Sequence, residues 1–388
     1  MATTIEAIAA LLTVAGMVYM LLALWGARDY VRAVRRQREG AGAAPPVSVL
    51  KPLKGVDPRM YAGLVSHCRQ EYGAAFELVF GVHRIDDPAV AEVERLRAEF
   101  PAVAITLVEC RERLGTSGKV SNLVQMLSWA RYEHVLINDS DIFVSPTYLS
   151  GVMRYFADES VGMVTAPYLG RTGAGGREKT LWARLEALGI STDFLAGVVT
   201  ARVLEGGIRF GLGSTLAMTK TALAHAGGME PLVEYLADDY ELGKRISGAG
   251  YKVKLCGEVV ETTVPAYGLK GFWDHQMRWA RSTRDSRKLG YVGLGVTYCV
   301  PWALATVLAS GGALWSFSLL SLALLARISV ALTVGVGVLQ DDQVLRDIWL
   351  LPVRDVFGLV FWAWSFAGET VVWRDEEFRL HDGRITPV

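Results

Sequence analysis

Two long stretches without a charged residue constrain what this 388-residue chain can fold into. The first, residues 7–26, has the length of a helix that crosses a bilayer. Five arginines follow it within residues 28–38, and only Glu6 precedes it. A cleaved signal peptide, the alternative, would have a basic start and a shorter apolar stretch. By the positive-inside rule we predict an uncleaved anchor, with the following domain in the cytoplasm.

The second uncharged stretch, residues 289–326, is too long for one span. We predict a pair of membrane helices near 291–311 and 313–338, with Arg327 inside the second. Because an arginine within a membrane is costly, its side chain is expected to face protein, water or lipid headgroups. A third apolar region, residues 348–368, is interrupted by Pro352, Arg354 and Asp355. It is compatible with a kinked span or a re-entrant hairpin.

Composition supports a membrane protein and excludes some functions. Hydrophobic residues make up 51% of the chain, which is high for a soluble protein. The formal net charge is zero, so bulk charge predicts no nucleic-acid partner. The four cysteines are scattered along the sequence, which favours reduced thiols over a disulfide framework or a zinc site.

Between the apolar stretches, strand-like and helix-like segments alternate. This alternation predicts an α/β domain with a mostly parallel sheet covered by helices. The predicted strands are 47–50, 77–82, 103–108 and 134–137, and the predicted helices are 87–99 and 119–131. We predict five regions: an anchor (1–27), a basic linker (28–46), a cytoplasmic catalytic domain (47–288), a membrane region (289–370) and a tail (371–388).

An Asp-x-Asp sequence follows the last of these strands. In parallel sheets, ligands bind beyond the carboxyl ends of the strands, where Asp139 and Asp141 are expected to lie. Mg²⁺ and Mn²⁺ bind carboxylate oxygens and share their remaining positions with water and substrate phosphates. The pattern therefore predicts a metal and diphosphate site. The alternative is a polar turn in which one aspartate caps the next helix.

Three other strand or helix ends carry residues suited to a nucleotide. Lys51 and Lys54 follow the first strand, where they suit a diphosphate or form a solvated turn. Asp87 precedes a proline, as a helix N-cap does, and its carboxylate also suits a base or ribose. Lys119 lies at the start of a predicted helix, where a lysine and free backbone N–H groups favour binding of an anion. The alternative is a capped helix on which Lys119 is merely exposed to solvent.

A second acidic pair supplies a candidate general base. Asp238 and Glu241 have the spacing of a capping box, which would occupy Asp238 at a helix start. Asp239 would then remain available to remove a proton from a substrate hydroxyl. Farther upstream, Gly213 lies in a glycine-rich segment, where a ligand can approach the backbone closely.

A basic helix precedes the second apolar stretch. Arg278, Arg281, Arg284 and Arg287 recur every three residues and share roughly one face. For the last three we predict contact with an anionic cytoplasmic leaflet. Arg278 is predicted to lie against a departing diphosphate. Trp279 is compatible with an interfacial anchor.

Taken in order, these motifs resemble one family, the ceramide glucosyltransferases (glycosyltransferase family 21). The resemblance rests on VLKPLKGVDP at 49–58, DDP at 86–88, DSD at 139–141, ADDY at 237–240, RW at 278–279 and the tail residues Trp373, Arg374 and 378–380. It covers nearly the whole chain. It implies a GT-A type nucleotide-sugar domain with membrane helices at both ends, a UDP-sugar donor, a membrane lipid acceptor and Mg²⁺ or Mn²⁺.

The resemblance also implies roles for individual residues. Asp87, Lys119 and the Arg278-Trp279 pair would bind the nucleotide sugar, together with Lys54. Asp139 and Asp141 would bind the metal and diphosphate, and Asp239 would be the general base.

Two positions depart from the family pattern. His275 stands where glutamine or arginine is expected, and Thr192 stands where the animal enzymes have a histidine thought to face the acceptor. Bacterial relatives of the family include a hopanoid-biosynthesis glycosyltransferase that transfers N-acetylglucosamine to a polyhydroxylated hopanoid, and residues 204–213 look more like those relatives. Thr192 and Gly213 are thus assigned to the acceptor side, with ceramide or a hopanoid as the acceptor.

The sequence therefore predicts an inverting hexosyltransferase that moves one sugar onto a lipid hydroxyl. A processive polysaccharide synthase shares these aspartates and is the first alternative, although such enzymes usually have more spans. A non-catalytic, membrane-anchored nucleotide-binding protein is the second.

Overall fold

The computed structural model describes residues 2–57, 59–173, 179–373 and 376–388. Pro58 and Arg374, which belong to the motifs quoted above, lie outside the described residues. The strands are β1 (Val47–Pro52), β2 (Phe76–Val82), β3 (Ala104–Glu109), β4 (His134–Ile137), β5 (Val161–Thr165), β6 (Tyr168–Thr172), β7 (Leu216–Thr219), β8 (Lys252–Leu255), β9 (Val260–Val264), β10 (Thr370–Trp373), β11 (Glu376–His381) and β12 (Arg384–Pro387).

Seven strands form one sheet in the order β3-β2-β1-β4-β7-β5-β8. Only β7 runs against its two neighbours, β4 and β5, and the other pairs in this sheet are parallel. The central strands are buried along nearly their whole length, as expected for a parallel sheet covered on both faces. The predicted α/β fold is confirmed.

The α-helices are α1 (Ala2–Glu39), α2 (Met60–Cys68), α3 (Ala89–Glu99), α4 (Gly118–Leu127), α5 (Tyr148–Met153), α6 (Leu181–Gly189), α7 (Leu195–Leu204), α8 (Lys220–His225), α9 (Asp238–Gly248), α10 (Leu269–Ser286), α11 (Lys288–Leu294), α12 (Cys299–Ala309), α13 (Leu314–Val330), α14 (Gln343–Asp347) and α15 (Leu351–Trp364). A π-helical turn, Ile190–Phe194, joins α6 to α7, and another, Ala331–Val338, extends α13.

Among the described residues, three helical segments are long and apolar enough to cross a membrane: Thr4–Glu39, Leu181–Leu204 and Leu314–Val338. Two further helices, Lys288–Thr297 and Cys299–Ala309, qualify together but are bent by 54°. The predicted apolar helices at both ends are confirmed. The sequence did not predict Leu181–Leu204, and the helix expected near 291–311 is bent.

The first helix continues beyond its apolar part, through the arginines, to Glu39. Two glycines let it pack closely against its neighbours. A Cβ on Gly16 would come within 2.8 Å of Cys299 on α12, and one on Gly26 within 2.6 Å of the Val199 carbonyl on α7. Small residues permit this kind of approach between membrane helices. The helix thereby packs closely against both α12 and α7.

Arg327 contacts protein, which is one of the three surroundings expected for an arginine within an apolar helix. Its side chain is 2% exposed, and its Nε donates to Asp355 Oδ1 at 2.9 Å. It also donates to Asp193, in the turn between α6 and α7. This ion pair connects three helices: α13, α15 and the segment Leu181–Leu204. Residues 348–368 consist largely of α15, whose 14 residues are fewer than a full span requires.

Candidate active site

A cavity of about 1340 Å³ opens where the carboxyl ends of β1, β2 and β4 meet the apolar helices. Cavities that bind one small ligand are usually about 300–1,000 Å³. The sequence-predicted residues Lys54, Asp87, Lys119, Asp139, Asp141, Gly213, Asp239, Arg278 and Trp279 all line it. At its other end it is lined by Tyr19, Gly197, Tyr298 and Trp362 from apolar helices. The cavity is therefore larger than most single-ligand sites and combines charged and apolar walls.

Buried polar groups hold the Asp-x-Asp loop in place through hydrogen bonds. Lys51, which is fully buried, donates to the backbone carbonyl of Asp139 at 2.8 Å. Burial lowers the pKa of Lys51 to about 7, although the carboxylates of Asp141 and Asp139 oppose this shift. Asn138 donates to the Ser214 carbonyl at 2.7 Å and to the Tyr148 hydroxyl at 2.9 Å. The sequence had suggested Lys51 for a diphosphate, whereas the structure uses it to hold the loop.

Asp141 is held in a fixed orientation at the cavity. Its Oδ2 accepts from Thr262 Oγ1 at 2.5 Å and from the Thr263 N–H at 3.0 Å. Burial raises the pKa of Asp141, and the nearby negative charge of Asp139 adds to this shift. A divalent cation held by Asp139 and Asp141 would offset this repulsion between their charges.

Within the described residues, no group of three or more His, Cys, Asp or Glu side chains is arranged to hold a metal ion. Two carboxylates facing one cavity nevertheless fit Mg²⁺ or Mn²⁺, since such ions are usually bound by one or two carboxylates together with substrate phosphates and water. The residues that would hold the ion are Asp139 and Asp141.

Lys119 joins the two acidic motifs. Its Nζ lies 2.9 Å from Asp139 Oδ1 and 3.3 Å from Asp238 Oδ2. Burial alone would lower the pKa of Lys119, but the carboxylates of Asp139, Asp238 and Asp239 raise it above its usual range. The ammonium group therefore remains charged at neutral pH.

The predicted capping box at Asp238 is wrong. The α9 N-cap position is Ala237, which makes no side-chain cap. Asp238 instead faces Lys119, while Glu241 pairs with Lys244 and Arg245 on its own helix. The sequence spacing did not reveal that a lysine from another helix would reach Asp238.

Asp239, in the first turn of α9, lies close to Asp139 at the carboxyl end of β4. A Cβ built on Gly213 would be 3.1 Å from Asp239 Oδ2 and 3.8 Å from Asp139 Oδ2, so both carboxylates border the same small space. Asp239 Oδ1 accepts from the Tyr240 N–H at 2.8 Å, which leaves Oδ2 directed at this space. Burial, followed by the neighbouring Asp238, raises the pKa of Asp239 to about 6. Such a carboxylate is ionised at neutral pH yet more basic than usual.

Asp87 connects two loops at the carboxyl ends of β1 and β2. Its Oδ1 accepts from the Gly55 N–H and from the Ala89 N–H, both at 2.9 Å. The second bond satisfies the N–H of Ala89, the first residue of α3, although the N-cap position is Pro88 and not Asp87 as predicted. Lys54, in the same loop as Gly55, is exposed and lines the cavity.

Helix α10 brings Arg278 and Trp279 to the cavity. The Trp279 ring lies 5.0 Å from the ring of His275, whose Nδ1 is 2.9 Å from Glu186 Oε1 on α6. His275, which departs from the family pattern, thus helps fix α10 against α6.

The predicted contact of the next three arginines with a lipid leaflet is wrong. Arg281 donates to the carbonyls of Thr370 and Ala367, and Arg284 donates to those of Ser365 and Gly368. Arg287 pairs with Glu205. These guanidinium groups hold the segment after α15 and the end of α7. Their partners lie more than 80 residues away in sequence, so helix periodicity alone could not identify them.

The structure does not bring Thr192 to the cavity. Its side chain is 1% exposed, and its hydroxyl donates to the Leu188 carbonyl at 2.8 Å and accepts from Arg327 at 3.0 Å. The next residue, Asp193, lines the cavity instead. The π-helical turn at Ile190–Phe194 shifts which side chain faces inward, and the sequence carried no signal for it.

Comparison with known proteins identifies the family of this chain. The sequence model of glycosyl transferase family 21 matches residues 8–386. Ceramide glucosyltransferase 1 of Caenorhabditis elegans is 30% identical over 240 residues, which cover 61% of this chain and 49% of the relative. Ceramide glucosyltransferase 3 of the same organism is 27% identical over 245 residues, which cover 61% of this chain and 50% of the relative. The chain thus matches about half the length of these curated relatives.

A solved structure also resembles the whole chain. It is a mannosyltransferase from Pyrobaculum calidifontis in complex with GDP-Man and Mn²⁺. The two share a TM-score of 0.52 at 20% identity, over 94% of this chain and 97% of the other. At this identity the likeness concerns the fold. Since the family match extends over nearly the full length, the resemblance predicted from the sequence is confirmed, and the chain belongs to glycosyl transferase family 21.

Proposed function

We propose that this protein transfers one sugar from a UDP-sugar to a hydroxyl group of a membrane lipid, with inversion at the anomeric carbon. One observation carries the proposal: the carboxylates of Asp139 and Asp239 border one space within a cavity that continues among apolar helices. The names of the ceramide glucosyltransferase relatives support a lipid acceptor and a glucosyl donor.

In this proposal Asp239 acts as the general base. Its Oδ2 accepts the proton of the lipid hydroxyl while the hydroxyl oxygen bonds to the anomeric carbon and the bond from that carbon to UDP breaks. A positioned base contributes about 10²–10⁴-fold to such a rate. The raised pKa of Asp239 makes it a stronger base than an exposed aspartate.

The leaving diphosphate gains negative charge as its bond to the sugar breaks. Arg278 and Lys119 line the cavity and are suited to stabilise that charge. A preorganised electrostatic contact of this kind is worth about 3–4 kcal/mol. Mg²⁺ or Mn²⁺ held by Asp139 and Asp141 would supply further positive charge, and the Mn²⁺ in the mannosyltransferase of similar fold supports its use.

The orientation in the membrane follows from the charges after the first span. Five arginines in residues 28–38 favour the cytoplasmic side, where UDP-sugars are available. We therefore place the sheet domain in the cytoplasm. The acceptor would enter from the bilayer, and its hydroxyl would reach Asp239 at the polar end of the cavity.

Purified protein in detergent tests the proposal directly. UDP-glucose and UDP-N-acetylglucosamine are each offered with Mn²⁺ and with ceramide or a polyhydroxylated hopanoid, and products are identified by mass. Addition of one sugar to one lipid supports the proposal and identifies both substrates. A polysaccharide product would instead indicate a processive synthase, and UDP-sugar binding without transfer would indicate a non-catalytic protein.

A further inference from the structure

The proposed chemistry does not use the antiparallel sheet formed by β10, β11 and β12. Two of its side chains, Trp373 and Phe378, nevertheless line the cavity. In this sheet β12 (Arg384–Pro387) pairs with β11 along one edge only. The other edge carries backbone N–H and carbonyl groups that need partners, and those partners indicate what the sheet does.

The segment that leads into α9 pairs with this free edge. The Ile385 N–H donates to the Glu234 carbonyl at 2.7 Å. The Leu236 N–H donates to the Gly383 carbonyl at 3.0 Å. Residues 234–236 thereby extend the sheet as a short antiparallel strand, which ends three residues before the proposed base.

Side chains reinforce this pairing. Leu236 is 9% exposed and shares one apolar cluster with four residues of the sheet: Val371, Phe378, Leu380 and Ile385. The Arg384 guanidinium lies 5.4 Å from the centre of the Tyr235 ring, within the range of a cation–π contact. Residues 234–236 are therefore held by the sheet through both their backbone and their side chains.

The start of α9 depends on this support because it has no local cap. Its N-cap residue, Ala237, has no side-chain oxygen that could accept from the first N–H groups of the helix. Asp239, the proposed base, lies in that first turn. The direction from which the chain enters the helix, which residues 234–236 determine, therefore sets the position of the Asp239 carboxylate.

The same sheet is attached to α10, the helix that brings Arg278 to the cavity. Asp285 on α10 accepts from the Gly383 N–H at 2.5 Å through its Oδ2. Arg281, one turn earlier, donates to the Thr370 carbonyl at the start of β10. The sheet thus joins the helix of the proposed base to the helix of the cation proposed for the leaving diphosphate.

We propose that this sheet is a positioning element of the active site, which aligns Asp239 with Arg278 by pairing β12 with residues 234–236. Ile385 is the central positioning residue, because its N–H bonds to that segment and its fully buried side chain packs in the cluster of Leu236. This inference rests on the proposed function and concerns its transfer step. A misplacement of about 1 Å can cost about 10²-fold in rate, so loosening this pairing should lower kcat.

Variants of Ile385 test the proposal, with rates expressed per donor-binding site so that loss of folded protein does not alter kcat. Ile385→Ala should lower kcat for glycolipid formation by at least about 10-fold. The affinity for the UDP-sugar with Mn²⁺ should be retained, because the donor contacts proposed for Asp87 and Asp139 lie at the ends of β2 and β4. Ile385→Val, which keeps most of the side chain, should keep the kcat of the unaltered protein.

Leu96→Ala is the matched control. Leu96, on α3, is as fully buried as Ile385 but belongs to an apolar cluster of the large sheet, so its truncation should destabilise the fold without changing kcat. If kcat is unchanged in both alanine variants, or falls equally in both, the small sheet contributes only stability, and the inference is overturned while the proposed function stands. A loss of donor affinity equal to the loss of kcat in Ile385→Ala would also overturn it.

A second variant keeps the test decisive if Ile385→Ala does not fold. Arg384→Ala removes an exposed side chain and should lower kcat about 3-fold, because the contact with the Tyr235 ring is lost. An unchanged kcat in this variant would then overturn the inference. Absence of glycolipid formation by the unaltered protein would overturn both the inference and the proposed function.

Discussion

Replacing Asp239 with asparagine removes the proposed base while preserving its shape. Asparagine keeps an oxygen that can accept from the Tyr240 N–H, which now donates to Oδ1 at 2.8 Å. Lys119 keeps its contacts with Asp139 and Asp238, at 2.9 and 3.3 Å. The fold and the donor site should therefore be retained. Only the proton acceptor is lost, and we expect kcat to fall about 10²–10⁴-fold.

That decrease corresponds to about 3–5 kcal/mol of transition-state free energy. Initial rates of glycolipid formation give kcat, and calorimetric titration with the UDP-sugar and Mn²⁺ gives the donor affinity. Glu241→Gln is the matched control, because Glu241 lies on the same helix but pairs with Lys244 and Arg245. Its kcat should remain within about 2-fold of the unaltered protein, since it makes no contact with the proposed reacting groups.

Two results would refute this reasoning. If Asp239→Asn kept more than a tenth of the activity, Asp239 would not be the base. If kcat and donor affinity fell by the same factor, the residue would serve donor binding instead.

Three further outcomes follow from the structure. Arg327→Leu should destabilise the protein by about 3–5 kcal/mol, because it leaves Asp355 buried without its partner. The double variant Arg327→Leu, Asp355→Leu should recover part of that lost stability, as measured by thermal unfolding. Burial lowers the pKa of His67 to about 3, so between about pH 6.5 and pH 3 the unfolded state binds a proton that the folded state does not. The free energy of unfolding should therefore decrease as the pH is lowered, by up to about 1.4 kcal/mol per pH unit. His67→Gln should reduce this slope in unfolding measured from pH 7 to 5. Removing divalent cations with a chelator should abolish transfer, and adding Mn²⁺ should restore it; full activity in the chelator would contradict a metal site at Asp139 and Asp141.

The sequence predicted the parts of the fold that depend on local patterns. Buried strands such as β1 and β4 are short, mostly apolar runs that can be recognised locally. The residues that follow them lie at strand ends regardless of the tertiary contacts made elsewhere in the chain. The convergence of Lys54, Asp87 and Asp139 on one cavity follows from parallel strands that end at one edge.

Features that depend on distant partners could not be predicted in this way. Asp238 has the spacing of a helix cap, but Lys119 from another helix reaches it. Arg281 has the periodicity of a lipid-facing residue, but carbonyls after α15 bind it. The segment Leu181–Leu204 contains several charged residues, which concealed its apolar character until their partners on other helices were known.

The most direct test of the central claim is the anomeric configuration of the glycolipid product. A single displacement with Asp239 as the only base must invert the sugar, so the α-linked UDP-sugar should give a β-linked lipid, which proton NMR distinguishes. A β-linked product that forms with unaltered protein and is lost in Asp239→Asn is the predicted result. An α-linked product would contradict the account, because it requires a different mechanism at this site.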